Sequence, residues 1–172
     1  MPGYEVLGGS EFREIKDIFQ KSKTLFRMGF EKQRKGIYKV AKFEKEFAKK
    51  FKSKFSLAVT SGTAALRVAL STLDLKKSDE IITQSFTFVA TVEAIVESKA
   101  KPICCEVDNT LNMDPSDLKK KINKKTKAVI AVHMLGVPSR IDEIRKICKK
   151  KKIFLIEDTA WGCGGNLNGK YL

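Results

Sequence analysis

Ser61-Gly62-Thr63 sets two hydroxyls and a glycine between an apolar run and a helical pattern. A glycine there lets a ligand approach the backbone, and the amides that follow lie at a helix N-terminus, where the dipole is positive. Such a turn can cradle a phosphate. The same three residues also form an ordinary N-cap turn, with serine as the cap. Asp158 follows the apolar run 153–156. A carboxylate at that place can bind a cation, a metal or a protonated ring nitrogen, or it can cap the next turn. Phe86 and Phe88 stand in a helix-entry turn, either as core residues or as a stacking platform. His133 is the sole histidine and ends a buried-looking run, which suits a core residue.

Other patterns carry less. Gly164, Gly169 and Lys170 have P-loop spacing, but Tyr171 stands where the magnesium-binding Ser or Thr is required, and no helix follows in this sequence. Gly162-Cys163-Gly164 does not complete a dinucleotide fingerprint. Cys104, Cys105, Cys148 and Cys163 form no CxxC pair, and adjacent strand residues point to opposite faces, so no metal site is expected. Free cysteines fit a reducing cytoplasm.

The positioning elements alternate. Helical stripes run through Phe12, Ile15, Ile18 and Phe19, and again over 40–52 through Val40, Phe43, Phe47 and Phe51, with a basic loop over 22–39 between them. Strands are expected at 55–59, 80–83, 102–107, 128–132 and 153–156. Helices are expected at 63–73, 87–97, from Asp114-Pro115 to about 122, and at 141–149. This alternation predicts an α/β fold with a mostly parallel sheet and flanking helices. Ligands of such sheets sit beyond the carboxyl ends of the strands, where Ser61, Ser85 to Phe88, Asp108, His133, Glu157 and Asp158 fall.

The chain has 172 residues, 42% of them hydrophobic, enough for one domain core and against a disordered tail. No apolar run is long enough to span a membrane, and Met1-Pro2-Gly3-Tyr4-Glu5 does not read as a signal peptide. The net charge is +14. A nucleic-acid surface would explain it, but 28 of the 34 cations are lysine rather than the arginine that favours phosphate and base recognition. Lysines on solvated helix faces and turns are the preferred account, and neither nucleic acid nor membrane is expected as a partner.

The ordered set of motifs is more specific than any one of them. It comprises Phe43-Glu44-Lys45-Glu46-Phe47, Ser61 to Leu66, Ser85-Phe86-Thr87-Phe88-Val89-Ala90-Thr91, Val132-His133-Met134-Leu135-Gly136, Ile156 to Ala160, and Gly169-Lys170-Tyr171. From about Pro2 to Leu172 the sequence resembles the DegT/DnrJ/EryC1/StrS family of pyridoxal-phosphate-dependent sugar aminotransferases. The resemblance implies the type I (aspartate aminotransferase-like) fold, with residues 1–172 as the N-terminal part of the cofactor-binding large domain and the C-terminal small domain absent. It implies pyridoxal 5'-phosphate as cofactor, with Gly62 and Thr63 at the phosphate, Phe88 stacked on the pyridine ring and Asp158 paired with the pyridine nitrogen. Trp161 stands where the family usually has Gln, His or Glu near the ring oxygen, and an indole can donate a hydrogen bond but not accept one.

The family's Schiff-base lysine is expected beyond Leu172, so no catalytic residue is assigned here. Some members carry histidine there and dehydrate sugars instead. The implied partners are a nucleotide-linked ketosugar, an amino donor such as glutamate, and a second copy in a homodimer. On this reading the chain is a fragment of a sugar aminotransferase and inactive by itself. The other reading is a short non-catalytic protein that binds the cofactor or a partner.

Overall fold

The computed structural model describes residues 4–172. Met1–Gly3, on which the leader reading and the start of the likeness at Pro2 rest, lie outside the described residues. The chain divides after Ala58 into two compact units.

In the first unit the helical stripes are realised as α1 (Gly9–Asp17), which runs on through a π-helical turn to Ser22, and α3 (Lys39–Lys50). The stripe on α1 is not a core: Phe12, Ile15 and Phe19 are exposed. The expected loop between them contains a single helical turn, α2 (Glu31–Arg34). Arg34 drives that turn, because its guanidinium is buried and donates to the carbonyls of Gly29 and Phe26. The strand expected at 55–59 is absent. A strand exists through a ladder of backbone bonds to a neighbour, and here side chains take those bonds. The Ala58 N–H donates to Glu44 Oε1 at 2.7 Å, and its carbonyl accepts from Arg27 Nη1 at 3.0 Å. The β-prone residues Phe55 and Leu57 stay exposed, Phe55 at 79%.

In the second unit, β1 (Glu80–Gln84), β2 (Lys101–Cys105), β3 (Thr126–Val132) and β4 (Phe154–Asp158) form one sheet in the order β2-β1-β3-β4, every pair parallel. Parallel neighbours require crossovers, supplied by α5 (Val89–Glu97), α6 (Pro115–Lys121) and α7 (Ile141–Lys151), while α4 (Gly62–Ser71) leads into β1. Side-chain alternation splits the core by face. Ile81, Ala128, Ile130 and Val132 pack with Leu66 and Leu70 of α4 and Ile95 of α5. Ile82, Val129 and Ala131 pack with Leu118 of α6 and Ile144 and Ile147 of α7. Each isoleucine, leucine or valine among them contributes about 1.5–3 kcal/mol on burial, so the sheet is stable only with both faces covered.

Helix α6 starts as its sequence predicts: Asp114 caps the Ser116 N–H at 2.8 Å, and Pro115 occupies the first position. The near P-loop is a hairpin of β5 (Asn166–Leu167) and β6 (Lys170–Tyr171). Its turn residues Asn168 and Gly169 have φ of 52° and 77°, the conformation a two-residue hairpin demands.

The four cysteines are free. Burial pushes the Cys105 thiol up to about 12 and the Cys148 thiol up to about 11, whereas Cys104 and Cys163 are exposed. At pH 8 the thiolate fraction of Cys105 is then roughly 10⁻⁴. A thiol reagent should label two cysteines rapidly in the native chain and the other two only on unfolding; four equally fast thiols would contradict this packing.

Candidate functional site

Connections diverge between β1 and β3. Helix α5 carries β1 to β2 over one face, and α7 carries β3 to β4 over the other. A crevice opens where neighbouring strands send their chains in opposite directions. The ends of β1, β3 and β4 meet there, and the N-termini of α4 and α5 lie at the same end of the sheet.

At the start of α4, Ser61 is the N-cap and its Oγ accepts the Ala64 N–H at 3.1 Å. The N-cap reading holds, and it leaves the other open. The cap satisfies Ala64, while the N–H groups of Gly62 and Thr63 have no acceptor among the described residues. A Cβ on Gly62 would meet nothing within 4 Å, so the space above these amides is open. Two free amides at the positive end of a ten-residue helix suit an anion.

Phe88 is the residue before α5 and is 65% exposed; Phe86 is exposed as well. They are therefore not core residues. Behind them Gln84, fully buried, holds the crevice floor. Its Oε1 accepts the Val132 N–H at 3.0 Å, and its Nε2 donates to the Phe86 carbonyl at 3.2 Å and the Leu111 carbonyl at 3.4 Å. Asn112, also buried, braces the loop after β3 by accepting the Met134 N–H at 2.9 Å and donating to the Val137 carbonyl. Neither residue was singled out in the sequence, although an amide closing an apolar run, as in Ile81-Ile82-Thr83-Gln84, is a readable sign of a buried brace.

Asp158 closes β4. Its Oδ1 accepts the Ala160 N–H at 3.0 Å, and its carbonyl accepts the His133 N–H at 3.0 Å. One carboxylate oxygen thus caps the turn, and Oδ2 has no partner among the described residues. Trp161 follows in that turn, 45% exposed, its carbonyl close beside Gly136. Gly165 must be glycine, since a Cβ would lie 2.9 Å from the Gly162 carbonyl. The structure therefore brings Gly62, Thr63, Phe88, Asp158 and Trp161 to one end of the sheet.

His133 is wholly buried, as its place in the sequence predicts. Its Nδ1 accepts the Ser139 N–H at 3.1 Å, so the neutral ring carries its proton on Nε2. Nε2 has no hydrogen-bond partner; Glu157 Oε2 stands 3.7 Å away. Glu157 Oε1 pairs with Arg145 Nη2 at 2.8 Å. His133 and Arg145 hold the Glu157 carboxyl below the usual carboxylate range.

The family model described as the DegT/DnrJ/EryC1/StrS aminotransferase family matches residues 16–172. The GDP-perosamine synthase of Vibrio cholerae is 42% identical over 132 residues, 76% of this chain and 36% of that protein. The dTDP-3-amino-3,6-dideoxy-alpha-D-galactopyranose transaminase of Aneurinibacillus thermoaerophilus is 36% identical, over 74% of this chain and 36% of that protein. Among solved structures, Escherichia coli GDP-4-keto-6-deoxy-D-mannose-3-dehydratase with bound hydrated PLP superposes with a TM-score of 0.82 at 31% identity, covering 96% of this chain and 42% of that one. The chain thus spans about two fifths of the length of these relatives.

A depressed carboxylate stabilises the fold above its unfolded pKa, and that contribution is lost as pH falls through the folded value. Glu157→Gln should therefore cost about 1–3 kcal/mol at pH 7, and the cost should shrink below about pH 4. Urea unfolding of both proteins at pH 7 and pH 3 checks this. An equal cost at both pH values would remove the ionic role of Glu157.

Proposed function

The chain belongs to the DegT/DnrJ/EryC1/StrS aminotransferase family, and from that membership we propose that its crevice holds pyridoxal 5'-phosphate. The observation that carries the reading is the pair of unpartnered amides of Gly62 and Thr63 at the head of α4, at the same end of the sheet as the free Oδ2 of Asp158. These donors and this acceptor match a ligand with an anion at one end and a protonated ring nitrogen at the other. Gly62 and Thr63 would receive the phosphate. The exposed Phe88 ring would stack on the pyridine. Asp158, steadied by the Ala160 and His133 N–H groups, would hold a proton on the ring nitrogen. Trp161 would lend its indole N–H to the ring oxygen. Held this way, the cofactor supplies a delocalised sink for an electron pair released at a substrate carbon.

The whole protein would move an amino group from a donor such as glutamate to a nucleotide-linked ketosugar. The named relatives support the substrate class: one is a GDP-perosamine synthase and another a transaminase of a dTDP-linked aminosugar. The dehydratase neighbour keeps dehydration as the competing reaction. Residues 1–172 are the N-terminal part of the large domain in this reading, and none of their lysines is assigned to covalent capture of the cofactor. The working unit would be a homodimer in a reducing cytoplasm, which suits four free thiols.

Trp161 is the sole tryptophan, so its emission reports on the crevice. Pyridoxal 5'-phosphate should quench it saturably, without a borohydride-stable adduct. Asp158→Ala and Gly62→Val should each weaken binding about tenfold or more. Quenching that neither substitution changes would defeat the assignment. An adduct fixed by borohydride would show that a lysine of this chain captures the cofactor.

A further inference from the structure

The lysines of the second unit fall at intervals along the sequence, but the fold collects them. A strand that follows each helix starts where that helix ends, so all four strand starts and all four helix C-termini share the end of the sheet opposite the crevice. The register confirms the alignment: Glu80 lies opposite Lys101 and Thr126, and Ala128 opposite Phe154. To this end come Lys76 and Lys77 before β1, Lys99 and Lys101 around the start of β2, Lys120 and the pair Lys124-Lys125 before β3, and the lysines at 149–152 before β4. All eleven are exposed, and none of their ammonium groups meets a carboxylate among the described residues. Of the acids at this end, Asp74 is exposed in the loop before Lys76, and two others are engaged. Asp79 is buried and caps the Lys76 N–H, and Glu80 is buried against Asn123.

Compensation of helix dipoles explains only part of this. It accounts for Lys120 and for Lys149, Lys150 and Lys151 in last turns, whereas the other seven lie outside any last turn. The arginines are engaged: Arg67, Arg140 and Arg145 of this unit are all paired with carboxylates. The face therefore offers mobile point charges without guanidinium forks. At its β4 side the ring of Phe154, two residues after Lys152, is 60% exposed. Distributed lysine charge with one exposed aromatic suits a broad anionic surface whose charges can rearrange, better than the fixed phosphate spacing of a duplex.

We infer that this lysine face docks the protein peripherally on an anionic lipid bilayer, with the crevice turned away from the membrane. The docking is independent of what the crevice binds.

The test is cosedimentation of the full chain with vesicles of equimolar phosphatidylglycerol and phosphatidylcholine, and with phosphatidylcholine alone. Binding is expected only to the former and should weaken as salt is raised. Reversing Lys124, Lys125, Lys149, Lys150 and Lys151 to glutamate should lower partitioning at least about tenfold. Reversing Lys32, Lys45, Lys49, Lys50 and Lys52 of the first unit gives the same net charge and should leave most of the binding intact. Equal losses in the two variants would mean that net charge alone acts, which overturns the proposal. Binding to duplex DNA without binding to vesicles would overturn it in favour of a nucleic-acid face. If circular dichroism shows that the first variant is unfolded, glutamine at the same five positions replaces it.

Discussion

All four strands of the sheet run in one direction, and most of the molecule follows from that. Parallel hydrogen bonding forbids short hairpins between neighbours, so each connection must cross a face as a helix. Every helix then begins at the end where strands finish and finishes at the end where strands begin. One end of the unit collects free amides and strand-end side chains; the other collects helix carbonyls and lysines. The candidate crevice and the lysine-rich end are two results of one topology.

The crevice end needs internal support because its loops leave the sheet in opposite directions. Gln84 and Asn112 provide it from buried positions, tying the end of β1 to β3 and tying loops to one another. A buried amide costs several kcal/mol when unpaired and is tolerated only when its bonds are made. These two make theirs to backbone groups that would otherwise be orphaned. Rigidity under the loops lets Phe88 and the Asp158 turn remain exposed without losing position.

The elements of the second unit were readable because hydrophobic period and strand length point to the same assignment. Ile81-Ile82 and Val129-Ile130-Ala131 have no polar interruptions, and Asp114-Pro115 announces its helix by cap chemistry. The run at 55–59 has equally good strand composition, yet propensity says nothing about whether a neighbour is there to bond. Glu44 and Arg27, distant in sequence, decide that point by taking the Ala58 backbone groups. The stripe on α1 marks a helix correctly but not a buried face. At the crevice the placement of Gly62, Thr63 and Asp158 at a helix start and a strand end was legible from residue type and place. The braces were not, because a buried glutamine and an exposed one look alike in a sequence. The lysine face was hidden for a related reason: its members are adjacent only after the sheet has been assembled.

Glu157 and Asp158 are consecutive carboxylates on a strand, so they leave it on opposite sides. Moving β4 by a single residue against β3 would exchange them and offer the crevice a side chain one methylene longer. In the native register Glu157 pairs with Arg145. Such a slip would give up that pair and also turn every apolar side chain of β4 to the other face, so the register that buries the strand also decides which acid the crevice receives.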